Sequence, residues 1–397
     1  MKRLVTFLGT GKYEATNYRL EDRNHSTRYV ADAIARLERV DQVWVLATPE
    51  AREAHEEGLR QALPDPNAFR VMDIPTGRNE GELWQQFEAI RKAITSDQPQ
   101  SVILDITHGF RAQPFFAAAS LGLLNASGRL PEAVRVVYGE FRKEEAESPI
   151  WDLTLFLDLL SWTQGTTVLM QTGNGQPLVE VLRRHDRNLR RDLASRGERN
   201  FPQTDRLINA IQSFTDDLAT VRVASLITGY AQNDKDKAGV VSSAQALTDA
   251  VRDYRRDADV HLPALVPLLE NLEQMSREIS APNLHGEEGH RAMGQLAQKY
   301  LDFQRYPEAA IVVREGYVSH YADSPEAVEV NSREFNNSAR KQADDDWKVG
   351  NEHLAESIGD VRNDIEHGGF RKQPLSAKRM MERINTLVQG FRKIGKA

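Results

Sequence analysis

The feature that most constrains this chain is a rhythm that stops part-way. Short, unbroken apolar runs alternate with helical stretches through roughly the first 160 residues, and then such runs cease. The runs are Leu4-Val5-Thr6-Phe7-Leu8, Val43-Trp44-Val45-Leu46, Val102-Ile103-Leu104 and Val134-Arg135-Val136-Val137-Tyr138, with Val71-Met72-Asp73-Ile74 a weaker fifth. Runs of this length without alternation suit strands covered on both faces. Between them lie helical stripes. Tyr29, Ala33 and Leu37 form one, Leu83, Phe87, Ile90 and Ile94 another, and Phe115 to Leu124 is almost wholly apolar behind Pro114. Strand and helix in alternation predict a mostly parallel, doubly wound sheet, on which ligands bind beyond the carboxyl ends of the strands.

From Leu178 onward the pattern is helical, after a turn-rich connector around Gln171-Thr172-Gly173-Asn174-Gly175-Gln176-Pro177. The fold class expected is therefore an α/β N-terminal domain with a mostly parallel sheet, followed by an all-α C-terminal domain. The divisions drawn are residues 1–165, a helical middle region 166–280, and 281–397. The segment Asn233-Asp234-Lys235-Asp236-Lys237 reads as a solvated loop.

Composition narrows the chemistry. The 397 residues contain no cysteine, which excludes disulfides, thiolate metal sites and cysteine nucleophiles and is compatible with the cytoplasm. The net charge of -7 argues against a protein that coats nucleic acid nonspecifically, so any nucleic acid must meet a local basic patch. No apolar run is long enough to span a membrane.

Two segments carry candidate chemistry. In the first half, the leading strand enters Gly9-Thr10-Gly11-Lys12-Tyr13, which departs from both common phosphate-loop patterns. Thr6 and Tyr13 break the P-loop pattern, and Glu14 breaks the dinucleotide fingerprint. The strand 102–104 enters Asp105-Ile106-Thr107-His108-Gly109-Phe110-Arg111, a loop rich in donors for phosphates and base edges. If these two strands are neighbours at the sheet's switch point, the loops share one crevice. Tyr138-Gly139-Glu140, ending the next strand, is a third element that can supply a stacking ring. The plain alternatives are structural: Asp105 capping the next helix, Thr107 bonding backbone, and His108 a buried donor.

In the second half, Leu354, Ile358, Val361 and Ile365 lay one apolar stripe on a helix that Gly368-Gly369 ends. Arg362, Asn363 and His367 lie off that stripe, with Asn363 and His367 one turn apart. A guanidinium, an amide and an imidazole at a helix end suit a phosphodiester, and point to RNA cleavage in which the ribose 2′-hydroxyl attacks phosphorus. The alternative is that His367 caps the helix and Arg362 pairs with Glu366. Other groups carry less. His285 and His290 lack metal-ligand spacing and read as a loop or helix start, and His320 and His353 have no evident partner. Eight arginines between Arg183 and Arg206 can guide RNA, line an interface, or form a solvated face laced with ion pairs. Arg371-Lys372 and Lys378-Arg379 form a second basic group. Trp347 and Phe370 can stack bases, with core packing the default for both.

The segment Asp105-Ile106-Thr107-His108-Gly109 resembles the DxTHG motif of CRISPR-associated proteins of type III systems. The segment from Arg362 to His367 resembles the R-x4-6-H motif of HEPN ribonucleases. The resemblance implies a CARF domain with a Rossmann-like fold that binds cyclic oligoadenylate through Gly9, Thr10, Gly11 and Lys12 and through Asp105, Thr107, His108, Gly109 and Arg111. It also implies a HEPN domain that cuts single-stranded RNA through Arg362 and His367, with Asn363 accessory. No cofactor and no metal are implied; the activator expected is tetra-adenylate ahead of hexa-adenylate. The implied assembly is a homodimer or higher homo-oligomer with a composite catalytic site, cytoplasmic and without a membrane partner. A nonenzymatic nucleotide-sensing regulator and a ring nuclease that degrades the messenger are the alternatives.

Overall fold

The computed structural model describes residues 1–109, 112–143, 145–195, 204–229, 241–261, 263–329 and 335–394. The chain divides into two compact units, Met1–Asp158 and Leu159–Ala397.

Unit 1 is α/β. Its strands are β1 (Lys2–Leu8), β2 (Thr16–Leu20), β3 (Arg23–Thr27), β4 (Gln42–Ala47), β5 (Phe69–Asp73), β6 (Ser101–Asp105), β7 (Ala133–Gly139) and β8 (Ser148–Asp152). Its helices are α1 (Val30–Leu37), α2 (Pro49–Ala62), α3 (Glu80–Thr95) and α4 (Gln113–Ala126). The sheet runs β3-β2-β8-β7-β6-β1-β4-β5. The five strands from β7 to β5 are parallel, β8 is antiparallel to β7, and β2 pairs with β8 and β3.

Successive side chains of a strand point to opposite faces, and β1 uses this to anchor two cores. Leu4, with Val45 and Ile103, packs under Val30, Ile34, Ala51 and Leu59 of α1 and α2. Val5 and Phe7, with Leu46 and Leu104, pack under Ile90, Ile94, Leu121 and Leu124 of α3 and α4. β1 sits between β6 and β4, so chain order reverses beside it. Loops leaving β1 and β6 flank the switch point.

Three of the eight strands were not expected. β2 and β3 form a two-residue hairpin at Glu21-Asp22, with Glu21 in the left-handed region at φ 56°. Its Leu-Glu-Asp-Arg sequence lacks the Asn-Gly or Asp-Gly signal of such turns. β8 contains Pro149 and is only five residues long.

Unit 2 is helical among the described residues. α5 (Thr154–Thr172) carries the chain from one unit to the other, across the expected division at 165. Then come α6 (Gln176–Ser195), α7 (Thr204–Ala219), α8 (Val223–Ile227), α9 (Ser243–His261), α10 (Val266–Glu278), α11 (Glu287–Asp302), α12 (Tyr306–His320), α13 (Asn337–Asp346), α14 (Glu352–Glu366) and α15 (Ala377–Ile394). One hydrophobic core joins them, from Trp162 and Phe214 through Tyr254 and Met293 to Val361 and Phe391. The expected segments 166–280 and 281–397 thus share a single core. The loop expected at 233–237 lies outside the described residues. No helix among the described residues is long and apolar enough to cross a membrane.

Candidate functional sites

In unit 1 the chemistry gathers where β1, β6 and β7 end. Asp105, the last residue of β6, is fully buried. Its carboxylate accepts from the Thr6 hydroxyl of β1 (2.6 Å), from the Thr107 amide (2.9 Å) and from the Thr107 hydroxyl (2.5 Å). The Thr107 oxygen in turn accepts from the Gly139 amide of β7 (2.7 Å). Asp105 and Thr107 therefore tie three strand ends together. A carboxylate so buried and engaged braces the loop that carries Thr107 and His108. Asp105 does not cap the next helix, because Ala112 is at the cap position of α4 with no side-chain cap bond. Gly139 has a packing reason to be glycine: a Cβ there would lie 2.5 Å from Cγ2 of Val30.

On this brace stands a column of three rings. The Tyr13 ring is sandwiched between the imidazoles of His55 and His108, with centroids 4.3 Å away on each side and interplanar angles of 19° and 22°. The Gly9 amide donates to the Tyr13 hydroxyl (2.8 Å), and His55 Nε2 donates to the Gly11 carbonyl (2.8 Å). Tyr29 meets the Tyr13 ring edge-on. His108 Nε2 is buried with no hydrogen-bond partner among the described residues. Burial pulls the His108 imidazole below its usual pKa, and nearby His55 adds to this while Asp105 opposes it. Burial likewise pushes the Tyr13 phenol up to about 12.

Of the expected ligand residues, Thr10, Gly11 and Lys12 are exposed, and Gly9, Thr107, His108 and Gly109 are half-buried. Gly9 and Gly11 do not use left-handed backbone. Phe110 and Arg111 lie outside the described residues. Tyr138 is part-exposed opposite Trp151 in the β7–β8 ladder, while Glu140 accepts from the Trp151 indole (2.9 Å). Sequence reasoning passed over His55 altogether and read Tyr13 only as a break in a phosphate-loop pattern. No local signal marks His55, which joins the column through the fold.

In unit 2, α14 packs on α12 and α15. Ile358 and Val361 of its stripe are buried, and Leu354 and Ile365 pack partly buried against the same core. Arg362, Asn363 and His367 are exposed on the other side. His367 follows the last helical residue, and its amide donates to the Asn363 carbonyl (3.1 Å). Gly368 and Gly369 adopt left-handed backbone, at φ 56° and 79°. The Gly369 amide returns to the Asp364 carbonyl (3.0 Å), ending the helix as its sequence predicts.

The next loop is strapped to the helix. Buried Asp364 accepts from the Leu375 amide (2.6 Å), and Asp360 holds Arg371 and Arg383 at 3.4 Å each. Arg362 Nε pairs with Glu366 at 2.9 Å, both side chains being more than half exposed. Such a pair contributes at most about 1 kcal/mol, so it yields readily to a phosphate. Phe370 departs from its core-packing default and is 93% exposed, whereas Trp347 is buried, stacked on Tyr317 at 5.7 Å.

The remaining expectations resolve locally. Arg190 lies between Asp186 and Asp205, and Arg206 pairs with Asp253, so these arginines belong to a face laced with ion pairs. Arg196 and Arg199 lie outside the described residues. His290 sits in the first turn of α11, with its ring centroid 4.6 Å from that of His320, which gives His320 a partner that its sequence did not reveal. No group of three or more His, Cys, Asp or Glu side chains among the described residues could hold a metal ion. No protein-family model matches the chain, and no curated protein matches it.

Proposed function

We propose that the chain is a cyclic oligoadenylate-activated, metal-independent endoribonuclease that cuts single-stranded RNA in type III CRISPR antiviral defence. In this reading unit 1 is a CARF-type sensor, unit 2 is a HEPN-type effector, and the enzyme works in the cytoplasm as a homodimer or higher homo-oligomer. Its main support is that both signature segments fall at chemically usable positions: one at the switch point of a doubly wound sheet, the other at an exposed helix end.

The cleavage chemistry needs three roles. The 2′-hydroxyl forms a bond to phosphorus and the bond to the 5′-oxygen breaks, leaving a 2′,3′-cyclic phosphate and a 5′-hydroxyl. His367 moves the proton, a role worth about 10²–10⁴ in rate. Arg362 leaves Glu366 to meet the charge that grows on the phosphoryl oxygens. Asn363, one turn before His367, orients the imidazole or the scissile group. A ring of identical nucleotides suits an isologous interface of two sensors, with tetra-adenylate the first choice.

The Arg362–Glu366 pair favours one other reading, a nonenzymatic sensor whose helical unit only binds a partner. A ring nuclease is less well served, because the Thr107 hydroxyl is already committed to Asp105 and Gly139. Arg362→Ala and His367→Ala separate enzyme from regulator. Each should lower activator-stimulated RNA cleavage by at least ~100-fold while leaving activator binding unchanged. Cleavage at the wild-type rate by either variant refutes the assigned site.

A further inference from the structure

The His55–Tyr13–His108 column joins the two loops assigned to the nucleotide, which carry Tyr13 and His108, to α2, which carries His55, and all three rings are half-buried. A planar ring held between two parallel imidazoles is the arrangement in which proteins hold a base. Here the protein's own phenol fills that slot. The same phenol oxygen takes the Gly9 amide, the first backbone donor of the glycine loop. The imidazole beneath it keeps a buried Nε2 with no hydrogen-bond partner among the described residues.

We propose that Tyr13 is an internal plug of the sensor site: its ring holds the slot between His55 and His108 that a purine takes, and its hydroxyl holds the Gly9 amide that a phosphate takes. Displacement then frees a stacking slot and a phosphate donor together. A ligand with phosphate but no base leaves the ring in place, and a base without phosphate gains nothing from the amide. Tyr13 is thus a specificity-determining residue that favours purine nucleotides over either fragment.

The inference rests on unit 1 being a nucleotide sensor and makes a separable prediction. When the competent state is a minor one, apparent affinity falls by its population. A plug populated about nine times in ten therefore weakens binding roughly ten-fold.

The experiment measures binding of cyclic tetra-adenylate and AMP by calorimetry to the full chain, to Tyr13→Ala and to Tyr13→Phe. Tyr13→Ala should bind about ten-fold tighter than wild type. Tyr13→Phe keeps the ring but releases Gly9, and should gain a smaller factor; it also serves if the alanine variant folds poorly. In wild-type protein the Tyr13 ring-proton resonances, assigned by their change in Tyr13→Phe, should move downfield as nucleotide draws the ring out of the imidazole column. Wild-type binding with equal or weaker binding by both variants, or with unmoved Tyr13 resonances, overturns the plug and leaves the sensor reading intact. No binding of either nucleotide by any of the three proteins overturns the sensor reading, and the plug with it.

Discussion

Thr107 shows how much one hydroxyl can organise. It donates to Asp105 and accepts from Gly139, so it joins the end of β6 to the end of β7. Thr107→Val keeps the shape and removes both bonds, leaving a part-buried amide and a buried carboxylate short of partners. Unit 1 should lose about 1–3 kcal/mol, measured by denaturant unfolding at constant slope, and affinity for the activator should fall with it. The histidines give a second test at this scale. Burial holds His108, His290 and His320 below the usual imidazole value, and the His290–His320 contact lowers His290 further. The unfolded chain therefore binds protons at a pH where the folded chain does not. Their contribution is full above the ordinary histidine value of 6.5 and is lost as pH falls through the depressed values. The melting temperature should drop as pH falls below about 6.5, and His108→Gln should flatten that slope. A melting temperature that rises on acidification would contradict the burial argument.

At the scale of elements, five parallel strands and the α14 stripe were legible because apolar burial leaves a direct periodic trace. The hairpin β2–β3 was not. Its outer strand, Arg-Asn-His-Ser-Thr, lies at the sheet edge and has no apolar face to advertise it. The ring column was illegible for another reason. Tyr13, His55 and His108 come from three separate segments, and only the order of β1, β4 and β6 brings them together. Glu366 beside Arg362 was visible in the sequence as an i,i+4 pair, and it formed. Helix packing supplies a further prediction. Gly316 of α12 lies against the Phe391 ring of α15, where an added Cβ would approach to 2.3 Å. Gly316→Ala should destabilise unit 2 by about 1–3 kcal/mol, despite alanine's better helix propensity. Thermal unfolding would show this; a stabilised variant would mean that the ring moves aside freely.

At the scale of the whole molecule, the proposal divides labour between an α/β unit and a helical unit. An activator can drive the second unit only by the difference in its affinity for two arrangements of the assembly. By linkage, whatever favours the active arrangement must tighten activator binding by the same factor. The most direct measurement follows cleavage of a fluorescent single-stranded RNA in EDTA, with cyclic tetra-adenylate, cyclic hexa-adenylate or neither, beside a DNA reporter of the same sequence. The account predicts RNA cleavage that depends on one of the rings, ends in a 2′,3′-cyclic phosphate and spares DNA. RNA cleavage at one rate with and without either ring, or cleavage of the DNA reporter, would contradict it.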